Sequence, residues 1–199
     1  EDMDQVGRFN KTVSQVFTAK AYMQMYRDYS SALPLLTAVE ESGVKPNGEP
    51  IGLAEKYGDI FDIVNRNFIE AIYTVQYSVN DNSGAFNASE GEVLNFPYKG
   101  GGSPGGCCGF FNPTQEFVNS FRTNADGLPF LDFSYNDEMV TNDQGLTPDD
   151  PYTEYAGQLD PRLDWSVGRR GIPYWDWGPH TGADWIRDQS YSGPYSPKK

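Results

Sequence analysis

The chain has 199 residues and a formal net charge of −13, long enough for one domain with a sizeable core. The acidic balance argues against a nucleic-acid partner, whose phosphate backbone needs a basic stripe, and disfavours adsorption to anionic lipid. Beside 21 Gly and 14 Pro stand 13 Tyr, 12 Phe and 4 Trp, a mixture that points to long ordered loops pinned by aromatic rings; no apolar run is long enough to span a bilayer.

Residues 8–42 read as two helices. Val13, Val16 and Phe17 mark one face of the first, and Ala19, Met23 and Tyr26 mark another. A helix apolar on two sides is sandwiched between neighbours, as in a helical stack. Tyr29, Ala32, Leu33, Leu36 and Val39 then form a stripe of helical period. Pro34 fits if this second helix starts late, near Ser30 or Ser31, and Ser42-Gly43 with Pro46 ends it. Asp28-Tyr29-x-x-Ala32 is similar to the turn and second-helix start of a tetratricopeptide repeat, except that Arg27 stands where Gly is expected. A short helix over 55–65 follows, with Tyr57, Ile60, Phe61 and Val64 at helical spacing. Ile69 to Val79 alternates like a strand.

After Val79 the texture changes, and Gly, Pro, Asn and Asp recur through the rest of the chain. Only Thr114–Arg122 reads as helical there, with Phe117, Val118 and Phe121 inward. The expected organisation is therefore a helical part over 1–79 that ends in a strand, and an irregular, loop-rich part over 80–199. Long ordered loops tend to carry function.

Few residues suggest catalysis. The single His180 cannot make a multi-histidine metal site, and the chain has no HExxH, GxSxG or Walker loop. Gly100–Gly106 is Gly-rich but lacks the Lys-Ser/Thr of a phosphate loop. Cys107 and Cys108 are adjacent, about 3.8 Å apart at Cα, below the usual disulfide span; two small thiols in a Gly-rich loop are expected. Asp81-Asn82-Ser83 and Asn142-Asp143 offer oxygen ligands, but neither follows an EF-hand loop, and solvated turns are the plainer reading. Carboxylates are plentiful, yet spacing alone shows no pair facing across a cleft. No cofactor and no catalytic residue is assigned. Asp160-Pro161-Arg162 and Arg169-Arg170 read as clamps in which guanidinium groups pair with carboxylates or cap loop carbonyls; a partner-facing role is the alternative.

Three stretches carry a resemblance: Leu159-Asp-Pro-Arg-Leu-Asp-Trp-Ser-Val-Gly-Arg-Arg-Gly-Ile-Pro-Tyr-Trp-Asp-Trp-Gly178, Gly105-Gly-Cys-Cys-Gly-Phe-Phe-Asn-Pro-Thr-Gln-Glu-Phe-Val-Asn-Ser-Phe121, and Trp185 through Lys199. They closely resemble segments of the SusD/RagB family of surface nutrient-binding lipoproteins, and residues 8–79 look like that family's helical part. The resemblance implies a mainly α, SusD-like fold: tetratricopeptide-like helices, then a loop-rich irregular region with short strands. It implies a cell-surface protein of the outer membrane that binds a nutrient, a glycan or in some branches a peptide, without cleaving it. The partner implied is a SusC-like TonB-dependent transporter, to which oligosaccharide is delivered. Family members are several hundred residues long and begin with a lipidated Cys, so the chain reads as an internal fragment, its only membrane attachment being an N-terminal lipid anchor absent here. A polysaccharide hydrolase and a purely structural interaction domain are the other classes.

A sugar presents an apolar face of C–H groups, which a flat Tyr or Trp ring matches with little entropy to lose. Most of the rings must serve the core, and Phe17, Phe61, Phe117 and Phe121 are expected there. The candidate ligand residues are loop aromatics with a polar edge: Tyr152 and Tyr155, between Pro151 and Gly157, and Trp175, Trp177 and Trp185, amid Gly, Pro and Asp. Tyr152 and Tyr155 are expected to be the most exposed. Trp175 and Trp177 would share one face of an extended segment, where packing or partner contact competes with ligand binding.

Overall fold

A computed structural model describes residues 7–65, 67–76, 96–99, 103–104 and 109–198. The chain divides into two compact units, Glu1–Asp81 and Asn82–Lys199. The Cys107–Cys108 pair, the segment Asp81-Asn82-Ser83 and most of the Gly100–Gly106 run lie outside the described residues.

In the first unit, α1 spans Lys11–Ala21. Asn10 caps it, its Oδ1 accepting from Val13 N–H at 2.9 Å, while its Nδ2 donates to the Val44 carbonyl at 2.7 Å and ties the helix start to a later segment of the unit. The helix widens into a π turn over Tyr22–Tyr26 and ends at Arg27, which takes the left-handed conformation with φ 52°. A glycine would adopt that geometry freely; here Arg27 does. Asp28 then caps α2, Tyr29–Ser42. Its Oδ1 accepts from Ser31 N–H at 3.0 Å, and the hydroxyls of Ser30 and Ser31 donate to the same carboxylate. These donors hold the Asp28 carboxyl below the usual carboxylate range, the Ser31 hydroxyl foremost. The cap starts the helix ahead of the Ser30–Ser31 start expected from Pro34. Pro34 therefore lies inside α2, exposed, with no N–H to return to Ser30.

Small side chains make the contact between α1 and α2. Thr12, Val13 and Ala19 are buried on α1, and Ala32 and Val39 on α2. Thr12 Oγ1 also accepts from Val44 N–H at 3.0 Å. The apolar stripe of α2 is only partly covered, for Tyr29 is 63% and Leu33 65% exposed. Phe17 is not a core residue either: half exposed, it joins a three-ring cluster with Phe9 and Tyr73, at centroid distances of 5.6 and 6.0 Å.

The helix expected over 55–65 is instead two 3-10 turns, Tyr57–Phe61 and Ile63–Asn65. Phe61 is partly exposed and packs edge-on against Tyr57 at 5.2 Å. The described part of the expected strand, 69–76, holds turns and bends with no ladder, and residues 77–79 lie outside the described residues. Alternation of β-branched residues makes a strand only when another chain segment pairs with it.

The second unit is dominated by loops. Thr114 Oγ1 caps α3, Gln115–Asn119, by accepting from Phe117 N–H at 3.1 Å. The helix is shorter than the predicted Thr114–Arg122, and Ser120 Oγ donates back to the Phe117 carbonyl at 2.6 Å where it stops. Phe117 is 46% exposed and meets the half-buried Phe121 edge-on. Beyond α4, Leu163–Ser166, a short strand β1, Val167–Gly168, pairs antiparallel with β4, Ser196–Pro197. Between them lie β2, Pro173–Tyr174, β3, Gly178–Pro179, and α5, Gln189–Ser192.

The core is one cluster of Val118, Val140, Leu163, Val167 and Tyr195, flanked by Phe121, Tyr155 and Leu159. A polar network runs beside it. Gln115 Oε1 accepts from Tyr195 OH at 3.0 Å and from Asn142 Nδ2, while Gln115 Nε2 donates to Asn119 Oδ1 at 2.8 Å and to the Val140 carbonyl at 3.0 Å. Asn119 in turn donates to Asn136 Oδ1 and accepts from Val140 N–H, both at 3.0 Å. Side-chain amides thus satisfy loop groups that a sheet ladder would otherwise pair.

Leu163 is 1% exposed at the centre of this cluster, whereas Leu131 is 97% exposed. Leu163→Ala should cost about 2–5 kcal/mol of stability, and Leu131→Ala less than about 0.5 kcal/mol. Urea denaturation followed by fluorescence measures both; equal losses would displace the core from this cluster.

Candidate ligand-binding surface

An aromatic hairpin occupies residues 173–179 of the second unit. Pro173 pairs with Pro179 and Tyr174 with Gly178 in antiparallel register. Trp175, Asp176 and Trp177 form the tip, closed by the Trp177 N–H donating to the Tyr174 carbonyl at 3.0 Å. Trp175 sits at φ 49° and Gly178 at φ 126°. The left-handed Trp175 is a sparsely populated state that surrounding contacts must hold. Its Nε1–H donates to the Lys198 carbonyl at 2.8 Å, and its ring meets Trp165 edge-on at 5.7 Å.

The feet of the hairpin are tied to the chain's last strand. Tyr174 OH donates to the Pro197 carbonyl at 2.8 Å. Lys198 Nζ donates to the carbonyls of Asp164 and Pro173 and lies over the rings of Trp165 and Tyr174, 5.8 and 5.9 Å from their centroids. Burial depresses the Lys198 pKa, and Arg169 adds to the effect.

Behind the hairpin lies His180, 1% exposed. Its ring packs on Trp185 at 4.8 Å and on Tyr174 at 6.2 Å, and Trp185 meets Tyr174 perpendicularly at 5.5 Å. Nδ1 accepts from Gly182 N–H at 3.0 Å, which leaves Nε2 to carry the proton and donate to Ser196 Oγ at 2.9 Å. Gly168 permits this packing, since a Cβ there would fall 2.9 Å from the imidazole. Burial, helped by Lys198, pushes the imidazole pKa down to about 3.

The Asp160-Pro161-Arg162 and Arg169-Arg170 stretches are expected to supply buried clamps; Arg169 and Arg170 order the flanking loops, whereas Arg162 is exposed and pairs with its near neighbour Asp160. Arg170 donates to the carbonyls of Thr147, Pro148 and Asp150, at 3.1, 2.7 and 2.7 Å. The buried Arg169 pairs with Asp164 at 2.6 Å, and Arg162 pairs with Asp160. Arg122, which no motif marks, binds the Tyr135 carbonyl at 2.7 Å and Glu138 at 3.0 Å.

The five aromatic candidates separate. Tyr152 is half-buried, not the exposed ring expected: its OH donates to the Thr141 carbonyl at 3.0 Å, and the Arg170 guanidinium lies 5.4 Å from its ring centre. Tyr155 is likewise half-buried against the core; its OH accepts from Arg122 Nε at 3.0 Å and donates to Glu138 at 3.1 Å. Trp185 is 4% exposed, a core residue. Trp175 and Trp177 do not share the face of an extended segment, because a reverse turn separates them. Trp175 is half-buried, while Trp177 is 58% exposed. Of the five, Trp177 alone presents most of its ring to solvent.

Asn142 and Asp143 serve the interior. Asn142 Oδ1 accepts from Gln144 N–H at 2.9 Å. Asp143, 2% exposed, accepts from Gln189 Nε2 at 3.0 Å through Oδ1, and its Oδ2 abuts Gly182, where a Cβ would lie 2.0 Å away. Burial raises its pKa. Among the described residues no group of three or more His, Cys, Asp and Glu could hold a metal ion. Lys198 and His180 are the structural residues that sequence reasoning missed. One sits near the end of the chain and the other is a lone histidine, and neither context signals burial.

Because His180 is the only histidine, it can be followed alone. The folded ring has a pKa of about 3 against an ordinary 6.5. Unfolded chains therefore take up a proton that the folded protein refuses. The stability His180 contributes is complete above pH 6.5 and is lost as pH falls toward 3, by up to about 1.4 kcal/mol per pH unit. Asp143, with its raised pKa, acts in the opposite sense. The comparison with His180→Gln isolates the imidazole. The imidazole C–H resonance should stay fixed between about pH 8 and 5, and the urea midpoint of the wild type should drop more on acidification than that of His180→Gln. A ring titrating near 6.5 would contradict the burial.

The sequence profile of the SusD family matches residues 69–197 of the chain. This span takes in the hairpin, its anchoring strand and the arginine clamps; α1 and α2 precede it. No curated protein matches the chain.

Proposed function

Given that the chain belongs to the SusD family, we propose that it captures a glycan at the cell surface, with Trp177 as a stacking platform, and passes it to a transporter. The family consists of glycan-binding proteins of nutrient uptake, which are not typically enzymes. Family membership supports placement at the outer membrane as a lipid-anchored protein, beside a SusC-like TonB-dependent transporter that receives the oligosaccharide.

The observation that carries the reading at this site is the exposure of Trp177, 58%, on a hairpin whose other aromatic residues are committed to the interior. Tyr174 and Trp175 each spend their polar edge on the carbonyl of a neighbouring strand. A ring held this way loses little further freedom when a ligand arrives. An exposed indole covers the C–H face of a pyranose, and Asp176 beside it offers a carboxylate to sugar hydroxyls. Tyr152, Tyr155, Trp175 and Trp185 support the loops and the hairpin around that platform.

Trp177→Ala should weaken binding of the cognate glycan by about 1 kcal/mol, roughly fivefold, with the melting temperature unchanged. Calorimetric titration and thermal unfolding of the same samples measure both. A lowered melting temperature with unaltered affinity would assign Trp177 to packing. The transporter is tested by co-purification from detergent-solubilised outer membranes, where consistent recovery of the protein without it would count against delivery.

A further inference from the structure

We propose that α3 and the loop over residues 124–139 form a protein-docking ridge, and that its partner is a surface of the transporter, apolar at the centre and rimmed by Lys and Arg. The choice of the transporter rests on the delivery reading above; the ridge itself does not.

The ridge joins two adjoining elements. Phe117 on α3 is exposed, and so are Leu128, Leu131, Phe133 and Met139, with Leu131 and Phe133 foremost at 97% and 76%. The 3-10 turn Phe133–Asn136 packs against α3: Asn119 Nδ2 donates to Asn136 Oδ1 at 3.0 Å, and Tyr135 OH reaches Glu116 Oε1 at 3.5 Å. An exposed apolar patch with a polar rim marks an interaction site.

The backbone beneath these side chains is fixed. Asn124 Oδ1 accepts from the N–H groups of Asp126 and Leu128, at 2.9 and 3.0 Å, and Thr123 bridges to Pro129. Arg122 donates to the Tyr135 carbonyl, and its guanidinium lies 5.5 Å from the centre of the Phe130 ring. Asp132 Oδ1 caps the 3-10 turn by accepting from Ser134 N–H at 3.1 Å. Apolar side chains carried on such a frame dock with little loss of backbone freedom.

Chemistry selects the occupant. Leu128, Leu131 and Met139 offer no flat face, so the sugar stacking ascribed to Trp177 has no counterpart here. Asp126, Asp132 and Asp137 are exposed along the ridge and form no ion pair among the described residues. Glu138 pairs with Arg122, the only Lys or Arg between residues 100 and 161. The exposed Arg162, joined to this region by the bond from Asp160 N–H to the Phe121 carbonyl, is itself paired with Asp160. An anionic lipid surface would repel the ridge's carboxylates. A symmetric dimer through the ridge would set the same carboxylates against one another. A protein surface with an apolar centre and a basic rim complements both the side chains and the charge.

The test is co-purification of the transporter from detergent-solubilised outer membranes, across a salt series. The wild type is compared with the double variants Leu131→Ser/Phe133→Ser and Asp126→Lys/Asp137→Lys. The first should recover at least roughly tenfold less transporter. The second should also recover less, with the deficit shrinking as salt rises. Both should keep the wild-type melting temperature and glycan affinity. Undiminished recovery with both variants would overturn the ridge and leave delivery standing, whereas a wild type always recovered alone would overturn delivery and the ridge with it. Sedimentation and flotation with anionic vesicles complete the comparison. Self-association or vesicle binding that Leu131→Ser/Phe133→Ser abolishes, with transporter recovery unchanged, would assign the ridge to a second copy or to a membrane and overturn the proposal.

Discussion

A carbonyl in a loop has no ladder to pair it, and burying it unpaired costs free energy comparable to a lost hydrogen bond. The second unit is mostly loop, and cationic side chains take the place of neighbouring strands. Arg170 gathers three loop carbonyls, and Lys198 joins α4 to β2 from its seat just after β4. Charged donors suit this task because their hydrogen bonds are roughly twice as strong as neutral ones. The same groups lie over the rings of Tyr152, Trp165 and Tyr174, so each cation organises both polar backbone and aromatic packing.

This arrangement explains how a region with two-residue strands holds a hairpin in place. The register between β1 and β4 supplies little ladder, yet the segment after β4 receives Trp175, and its Lys198 reaches back to Pro173. The left-handed Trp175 is held from both sides, by that hydrogen bond and by Trp165. Strain at one tip residue is thereby coupled to the projection of the next indole into solvent. Structure at the tip and the presentation of Trp177 are consequences of the same interior contacts.

Residue order was enough to establish the helical start, the change of texture after Val79, the clamp roles of the arginine doublet and membership of the SusD family, because each is written in local spacing or in contiguous motifs. Asp28 and Thr114 cap their helices within three residues, yet Pro34 pointed to a later start for the second helix than the Asp28 cap sets. The fate of individual rings was not legible. Tyr152 and Tyr155 sit in a polar loop, as an exposed residue would, but Arg170, Arg122 and Glu138 draw them inward from distant positions. Trp175 and Trp177 looked equivalent by alternation until a turn set one inside and one outside. Phe17 and Phe117 had helical spacing, yet spacing states which residues share a face, not whether anything covers that face. Burial depends on contacts between segments far apart in sequence. Only the tertiary structure therefore decided which of these aromatic residues are buried and which are exposed.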